Sequence, residues 1–165
     1  MRSIPYRSDR VRILIYTAAI ALALATSIPA DNASARTEGG LHVEGAVQFP
    51  QNRSRIVRHT IRFHIPQGSS PLSQLNIDVP EGIRISDNIA LTDKSGRKID
   101  ANISVMGNKV IVDFPQPIAP ESKLKLDLNN IRRRGVSNAW IYRVSAKLVG
   151  LEADVPIGIA QIRVY

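Results

Sequence analysis

The sequence contains no cysteine in 165 residues, and this absence excludes several kinds of chemistry. Without cysteine the chain forms no disulfide, uses no catalytic thiol and binds no metal through thiolates. It also cannot carry a lipid on a processed N-terminal cysteine. The stability of the folded protein must therefore come from a packed hydrophobic core. The sequence contains no cofactor motif either, so no cofactor is expected.

Histidine is also scarce, and the three histidines do not form a metal-binding pattern. His59 and His64 are five residues apart, so on one regular strand their side chains point to opposite faces. His42 lies far from both in sequence, and a zinc site needs three or four ligands. The aspartates are scattered and form no twelve-residue calcium loop. We therefore predict no metal site and interpret the three histidines as surface or edge residues.

No catalytic motif is present. Ser69 and Ser70 are not followed by a second glycine at the spacing that a nucleophile elbow needs. Glu81, Glu121 and Glu152 have no neighbouring residues that indicate paired acid and base catalysis. We therefore predict that the protein is not an enzyme, and an unrecognised hydrolase is the alternative.

The sequence also lacks an apolar run long enough to cross a bilayer as a helix. The longest run, residues 13–25, is about 13 residues long, and a spanning helix needs roughly 20. Several arginines precede it, and Ala33 and Ala35 provide the small residues of a signal-peptidase site. We predict a signal peptide over residues 1–35 and one exported domain over residues 36–165, with no transmembrane span after cleavage. The alternative is a retained N-terminal anchor.

The charge balance is basic, with 22 Lys and Arg against 14 Asp and Glu. Residues 36–165 keep 18 basic and 12 acidic residues, a net charge of +6. Such a balance favours anionic partners. Aromatic residues, which stack on the bases of single-stranded nucleic acid, make up only 5% of the chain. Nucleic acid is therefore not an expected partner.

Alternation of apolar and polar residues dominates the chain after residue 35. Apolar residues and one histidine share one face of a predicted strand: Val57, His59, Ile61, Phe63 and Ile65. The same alternation recurs over residues 75–79, 99–105, 124–128 and 140–148. This pattern is typical of strands that are buried on one face, and no segment after residue 35 shows a helical repeat.

Turn residues divide these segments. The Gly107–Asn108 pair predicts a hairpin turn, and residues 93–96 predict another. Five strand-like segments run into a proline, and residues 115–120 predict an extended connector between strands. Eight or nine strands at this spacing predict an all-β fold. We expect an antiparallel two-layer β-sandwich of immunoglobulin-like architecture without a disulfide, with Trp140 in its core.

Several segments carry a resemblance to a known family. They read HTIRFHIP at residues 59–66, LNIDVPEG at 75–82, VDFPQPI at 112–118, LDLNNI at 126–131, PIGIA at 156–160 and IRVY at 162–165. This series resembles a family of exported cyanobacterial proteins known as domain of unknown function family 2808. The resemblance covers nearly all of residues 36–165 and implies a short secreted or lumenal β domain. It implies no catalytic residues.

The basic residues provide the candidate binding site. The run Arg132, Arg133 and Arg134 is predicted to lie in a loop over residues 129–138. Other basic residues share the polar faces of three predicted strands: Arg58 with Arg62, Lys123 with Lys125, and Arg143 with Lys147. If these faces are adjacent, they form a positive strip for sulfate, carboxylate or phosphate groups. The alternative is a solvated face whose charges protect strand edges.

Two functions follow from these features. The first is binding to an anionic polysaccharide or lipid surface of the cell envelope through the basic residues. The second is a structural or assembly module that binds an envelope protein by edge-strand pairing, with the strand that ends at Tyr165 as the candidate edge. The sequence does not separate the periplasm, the thylakoid lumen and the extracellular medium as destinations.

Overall fold

The computed structural model describes residues 40–135 and 137–164. The predicted signal peptide with Ala33 and Ala35, and also Tyr165, lie outside the described residues. Over the described part of the chain, no helix is long and apolar enough to cross a membrane.

Ten β-strands, numbered in chain order, form two antiparallel sheets in the described residues. Sheet A contains β1 (His42–Phe49), β2 (Ile56–Ile65), β4 (Ile83–Arg84), β5 (Ile89–Asp93) and β8 (Ser122–Arg133). Sheet B contains β3 (Leu72–Asp78), β6 (Asn102–Met106), β7 (Lys109–Ile118), β9 (Ala139–Leu148) and β10 (Val155–Arg163). Sheet A has the order β1-β2-β8, with β4 and β5 both paired to β8, and sheet B has the order β10-β9-β3-β7-β6.

The two sheets enclose a single hydrophobic core. Alternate residues of β2, including Ile61 and Phe63, are fully buried between the sheets. From sheet B, Trp140 and Tyr142 on β9 are buried in the same cluster. Each strand thus covers the core with one face and leaves the other face polar. The predicted β-sandwich is confirmed, and so is the position of Trp140 in its core.

Both predicted turns are present. Gly107 adopts a φ of 60° between the paired ends of β6 and β7, as a tight hairpin requires. In the second turn, the Gly96 N–H donates to the Asp93 carbonyl at 3.0 Å, and Arg97 forms an ion pair with the Asp93 carboxylate at 2.8 Å. Hydrogen bonds from Ser95 and Arg97 hold the pKa of Asp93 far below its usual range.

The alternation over residues 99–105 belongs to two different sheets. The Ile99 N–H donates to the Leu91 carbonyl of β5, in sheet A, whereas β6 begins at Asn102 and pairs in sheet B. The chain therefore crosses between the sheets at residues 100–101. The prediction of one strand over residues 99–105 is wrong because the alternation persists through the crossover.

The predicted connector over residues 115–120 is also wrong, because β7 continues through Pro115 and Pro117 to Ile118. These prolines lie where the register with β3 is interrupted, between the pairs Gln74–Asp113 and Leu72–Ile118. Strand β6 pairs only with residues 109–113, so this part of β7 has no neighbouring strand on that side among the residues that the structure describes. Proline is tolerated there because no ladder hydrogen bond needs its missing N–H.

Candidate functional site

The arginine run lies at the end of a strand and not in the middle of a loop. Arg132 and Arg133 are the last two residues of β8, and only Arg134 follows it. Arg132 pairs with Ile56 of β2 on one side and with Arg84 of β4 on the other. The loop predicted over residues 129–138 therefore begins only at residue 134, because strand pairing on both sides extends β8 by several residues.

A bulge in β8 decides which of these side chains face the solvent. Val57 pairs with Ile131 and His59 pairs with Leu128, so β8 contains one more residue than β2 at this point. Asn130 has a φ of 52° here, a backbone conformation that asparagine tolerates. The extra residue reverses the alternation of β8. Ile131 consequently points into the core, and Arg132 points outward.

Five arginines from two segments line a groove at this end of sheet A. The connection between β1 and β2 contributes Arg53 and Arg55, and the end of β8 contributes Arg132, Arg133 and Arg134. The groove has a volume of about 810 Å³ and is also lined by Ser54, Ile56 and Gly135. We call this site the arginine groove. Its lining contains no acidic residue.

A second, smaller groove adjoins the arginine groove and adds a further arginine. It shares Ile56 and Arg132 with the arginine groove and is also lined by Arg84. Because Arg84 and Arg132 are directly opposite each other on β4 and β8, their guanidinium groups extend from the same face. Arg84 therefore extends the positive surface along the end of sheet A.

The six arginines differ in how their side chains are bonded. Arg53 donates to the side-chain oxygen of Asn138 at 3.4 Å. Four others are exposed and make no side-chain hydrogen bond or ion pair with any residue that the structure describes: Arg55, Arg84, Arg132 and Arg134. Clustered positive charges without anionic neighbours repel one another and attract anions. These four guanidinium groups are therefore available to a ligand.

Arg133 stabilises the arginine groove through hydrogen bonds to three backbone carbonyls. Its Nη1 donates to the carbonyls of Asn52 at 3.3 Å and Ser54 at 3.5 Å, and its Nη2 donates to the carbonyl of Ser137 at 3.4 Å. The guanidinium also lies over the Trp140 ring, 5.7 Å from its centroid. Arg133 thus connects the β1–β2 connection to the β8–β9 connection, and both of its terminal nitrogens donate to carbonyls within the protein.

Backbone contacts bring the connection between β3 and β4 to the same place. The Arg133 N–H donates to the Arg55 carbonyl at 3.0 Å, and the Arg134 N–H donates to the Gly82 carbonyl at 2.6 Å. Gly82 has a φ of 80°, and a Cβ on it would lie 2.8 Å from the Arg134 carbonyl oxygen and 3.2 Å from the Trp140 ring. Only glycine fits this approach.

The basic strand faces of sheet A form a second positive region. Arg62 lies directly opposite Lys125 on the adjacent strands β2 and β8. The basic faces of β2 and β8 are therefore adjacent, as the sequence analysis allowed. We call their four residues the basic strip: Arg58, Arg62, Lys123 and Lys125.

Carboxylates neutralise most of the basic strip. Asp127 lies 3.2 Å from the Lys125 Nζ and 4.0 Å from the Arg58 Nε. Asp127 also accepts a hydrogen bond from the Thr60 hydroxyl at 2.5 Å. Glu44 pairs with the Lys123 Nζ at 2.7 Å, and this hydrogen bond holds the pKa of Glu44 below its ordinary value. Three of the four basic residues thus have an acidic partner.

Arg143 and Lys147 do not join either region, because β9 belongs to sheet B. Arg143 lies opposite Asp78 on β3, and Lys147 lies opposite Gln74. The outward faces of the two sheets point away from each other, with the core between them. A continuous strip through all the predicted basic faces is therefore not formed.

The interpretation of His59 as a surface or edge residue is wrong, because its side chain is fully buried. Its Nε2 lies 3.1 Å from Gln48 Oε1, and its Nδ1 lies 2.5 Å from the Tyr142 hydroxyl. Burial, followed by the positive charge of Arg133, lowers the pKa of His59 to about 4. Burial also raises the pKa of Tyr142.

This buried network reaches the arginine groove. Gln48 Nε2 donates to the carbonyls of Pro50 at 2.9 Å and Asn52 at 2.7 Å, in the connection that carries Arg53 and Arg55. Gln48 Oε1 is therefore the acceptor for His59 Nε2–H, which leaves His59 Nδ1 to accept from the Tyr142 hydroxyl. The core histidine thus helps to position the groove.

The other two histidines lie side by side. His42 and His64 are opposite each other on β1 and β2, and their ring centroids are 5.4 Å apart. No group of three or more potential metal-ligating side chains occurs in residues 40–135 and 137–164.

Strand β10, the candidate for edge-strand pairing with a partner protein, does lie at a sheet edge, but its pairing register is irregular. Strand β10 is at the edge of sheet B, with a register shift between Pro156 and Gly158. A Cβ on Gly158 would lie 3.9 Å from Val43, so β1 approaches this stretch closely. Proline, a bulge and a covering strand are features that block pairing with another chain.

Sequence reasoning missed Arg53, Arg55 and Arg84. The Arg-Ser-Arg segment before β2 is a visible signal, but nothing in the sequence places it beside residues 132–134. That proximity depends on the pairing of β2 with β8.

Comparisons with known proteins give distant similarities of fold only. No family model matches the chain, and no curated protein matches its sequence. The resemblance to family 2808 therefore stays a prediction.

Three solved structures illustrate the distant similarity. The N-terminal domain of the Streptococcus gordonii adhesin Sgo0707 is 15% identical with a TM-score of 0.47, over 76% of this chain and 32% of that chain. The collagen-binding domain from a Staphylococcus aureus adhesin is 13% identical with a TM-score of 0.47, over 74% and 96% of the two chains. BslA, a bacterial hydrophobin, is 16% identical with a TM-score of 0.48, over 76% and 94%. Similarity at this level says nothing about the ligand.

Proposed function

We propose that this protein is an exported, non-enzymatic binding module that holds an anionic polymer or surface in its arginine groove. The observation that supports the proposal is a set of four exposed arginines at one end of sheet A that have no side-chain partner among the described residues: Arg55, Arg84, Arg132 and Arg134. Export depends on the predicted signal peptide.

The chemistry of arginine supports an anionic ligand. A guanidinium group presents its N–H donors in a planar fork that matches a carboxylate, sulfate or phosphate group. Each unpaired arginine in the groove can therefore form two parallel hydrogen bonds with such a group. Because the arginines occur on three separate segments, namely the β1–β2 connection, β4 and the end of β8 with the residue after it, the ligand that fits them best carries several anionic groups.

The arginine groove is a better candidate than the basic strip. In the basic strip, a ligand would have to displace Asp127 and Glu44 from their ion pairs. In the arginine groove, no carboxylate of the described residues competes with the ligand. The net attraction for an anion is therefore larger in the groove, although both regions have basic side chains.

Heparin, a soluble sulfated polysaccharide, is a suitable probe. We expect Arg132→Ala/Arg134→Ala to weaken heparin binding by about tenfold or more, because two charge-assisted contacts are lost. The matched control, Lys123→Ala/Lys125→Ala, removes the same charge from the basic strip and should weaken binding by only about twofold. Binding should also weaken as salt is raised. Equal losses in the two double variants would contradict the proposal, since only total charge would then matter.

A further inference from the structure

Two large apolar side chains are exposed beside the arginine groove. Phe49 is 63% exposed at the end of β1, and Ile56 is 57% exposed at the start of β2. They lie at the two ends of the connection that carries Arg53 and Arg55, and Ile56 itself lines the groove. We call these two residues the apolar pair. Single exposed apolar residues are ordinary, but two that flank a charged groove form a composite surface.

The apolar pair shares one face of sheet A with the arginines. Phe49 lies opposite Arg58, whose guanidinium is 5.3 Å from the centre of the Phe49 ring. Ile56 precedes Arg58 by two residues and therefore points to the same face. Ile56 also lies opposite Arg132, which in turn lies opposite Arg84. Each member of the apolar pair thus lies directly opposite an arginine on the neighbouring strand at this end of the sheet.

The kind of anionic ligand follows from this combination. A soluble acidic polysaccharide satisfies the arginines, but its hydroxylated rings offer little apolar surface to an aliphatic side chain such as Ile56. The headgroup region of an anionic bilayer offers phosphates for the arginines and an acyl boundary for the apolar side chains. Arginine is suited to this position because its stem packs against apolar groups while its guanidinium stays at the phosphates.

We propose that the arginine groove and the apolar pair together bind the surface of an anionic lipid bilayer, an inference that rests on the proposed anion-binding function. The arginines contact lipid phosphates, and Phe49 and Ile56 enter the boundary between headgroups and acyl chains. Two exposed apolar residues on strands of sheet B, Ile141 and Ile159, provide a contrast because they line neither of the two grooves.

Vesicle sedimentation tests this inference. The purified protein is mixed with vesicles of phosphatidylcholine alone or with phosphatidylglycerol, and its heparin affinity is measured in parallel. We expect Phe49→Ser/Ile56→Ser to weaken binding to the anionic vesicles by about tenfold or more and to change heparin binding by less than about twofold. The matched control, Ile141→Ser/Ile159→Ser, should leave both affinities unchanged.

The outcomes separate the two proposals. Heparin binding without vesicle binding, or vesicle binding that Phe49→Ser/Ile56→Ser leaves intact, would overturn the bilayer inference and leave the anion-binding proposal in place. If the protein bound neither heparin nor vesicles, both the anion-binding proposal and the bilayer inference would be overturned. Heparin binding by the double variant with the affinity of the unchanged protein also shows that the arginine groove is intact.

Insertion has a direct readout of its own. With the emission of Trp140 subtracted, the fluorescence of Phe49→Trp should shift to shorter wavelength on anionic vesicles and stay constant with heparin. A constant emission on vesicles that bind the protein would contradict insertion at Phe49.

Discussion

The basic strip and the arginine groove lie on the same sheet, yet they differ in how their charges are paired. In the basic strip, Asp127 and Glu44 form ion pairs with three of the four basic residues. In the arginine groove, the arginines have no acidic partner among the described residues. The comparison shows that the position of a basic residue relative to its acidic neighbours decides whether it can bind an anion.

The two regions also differ in how they are supported. Apart from Arg58, which lies at the bulge, the basic strip lies on the regular part of β2 and β8, where cross-strand neighbours are fixed by the sheet register. The arginine groove lies where strands end, and its shape depends on Arg133, Gly82 and the network from His59 to Gln48. Changes in these supporting residues should therefore affect the groove and leave the strip intact.

The largest expected effect is on stability at acid pH. The folded-state pKa of His59 is about 4, below its ordinary value of 6.5. As the pH falls from 6.5 to 4, the unfolded chain takes up a proton that the folded protein does not. The free energy of unfolding should therefore decrease by about 3 kcal/mol across this range through His59.

Urea denaturation at several pH values measures this effect. His59→Gln, which can keep hydrogen bonds in the network without titrating, should flatten the decrease, whereas His42→Gln at the surface should not. An unchanged pH dependence in His59→Gln would show that other groups are responsible.

Two glycines allow the support of the two regions to be compared directly. Gly82→Ala should lower the free energy of unfolding by about 1–3 kcal/mol and weaken heparin binding, because its φ is 80° and the Arg134 carbonyl is too close. Gly45→Ala, beside the basic strip, meets only the mobile end of Arg62, at 3.3 Å, and should cost less than about 1 kcal/mol. Thermal denaturation with heparin titration measures both. Similar losses of stability and of heparin affinity in the two variants would contradict the difference in support between the arginine groove and the basic strip.

The smallest expected effect is a gain of binding in the basic strip. Asp127→Asn removes the carboxylate that pairs with Arg58 and Lys125, while the Asn side-chain oxygen can still accept from Thr60. In the Arg132→Ala/Arg134→Ala background, this change should raise heparin affinity by about threefold. Heparin titration of the two backgrounds measures it. No gain would mean that ion pairing does not explain the weaker heparin binding that we predict for the basic strip.

Local patterns predicted much of the fold. The alternation of β2 and β9 and the Gly107 turn depend on neighbouring residues, so the sequence displays them directly. The same alternation placed His59 on the apolar face, which is a signal of burial. Its interpretation as a surface residue came from treating it only as a possible metal ligand.

The candidate site depends on distant pairing and could be predicted only in part. The run of Arg132 to Arg134 is visible in the sequence, but the bulge at Asn130 determines that Arg132 faces outward. Arg55 and Arg84 come beside Arg132 through the pairing of β2 and β4 with β8. The carboxylates that neutralise the basic strip reach it in the same way.

Whether an anionic ligand binds in the arginine groove can be tested directly by observing the individual arginine side chains during binding. Nuclear magnetic resonance of the guanidinium Nε–H groups, recorded during titration with a heparin oligosaccharide, distinguishes the two regions in one experiment. We expect the signals of Arg55, Arg132 and Arg134 to shift, while those of Arg58 and Arg62 stay in place. Shifts confined to Arg58 and Arg62, or spread equally over all arginines, would contradict this expectation.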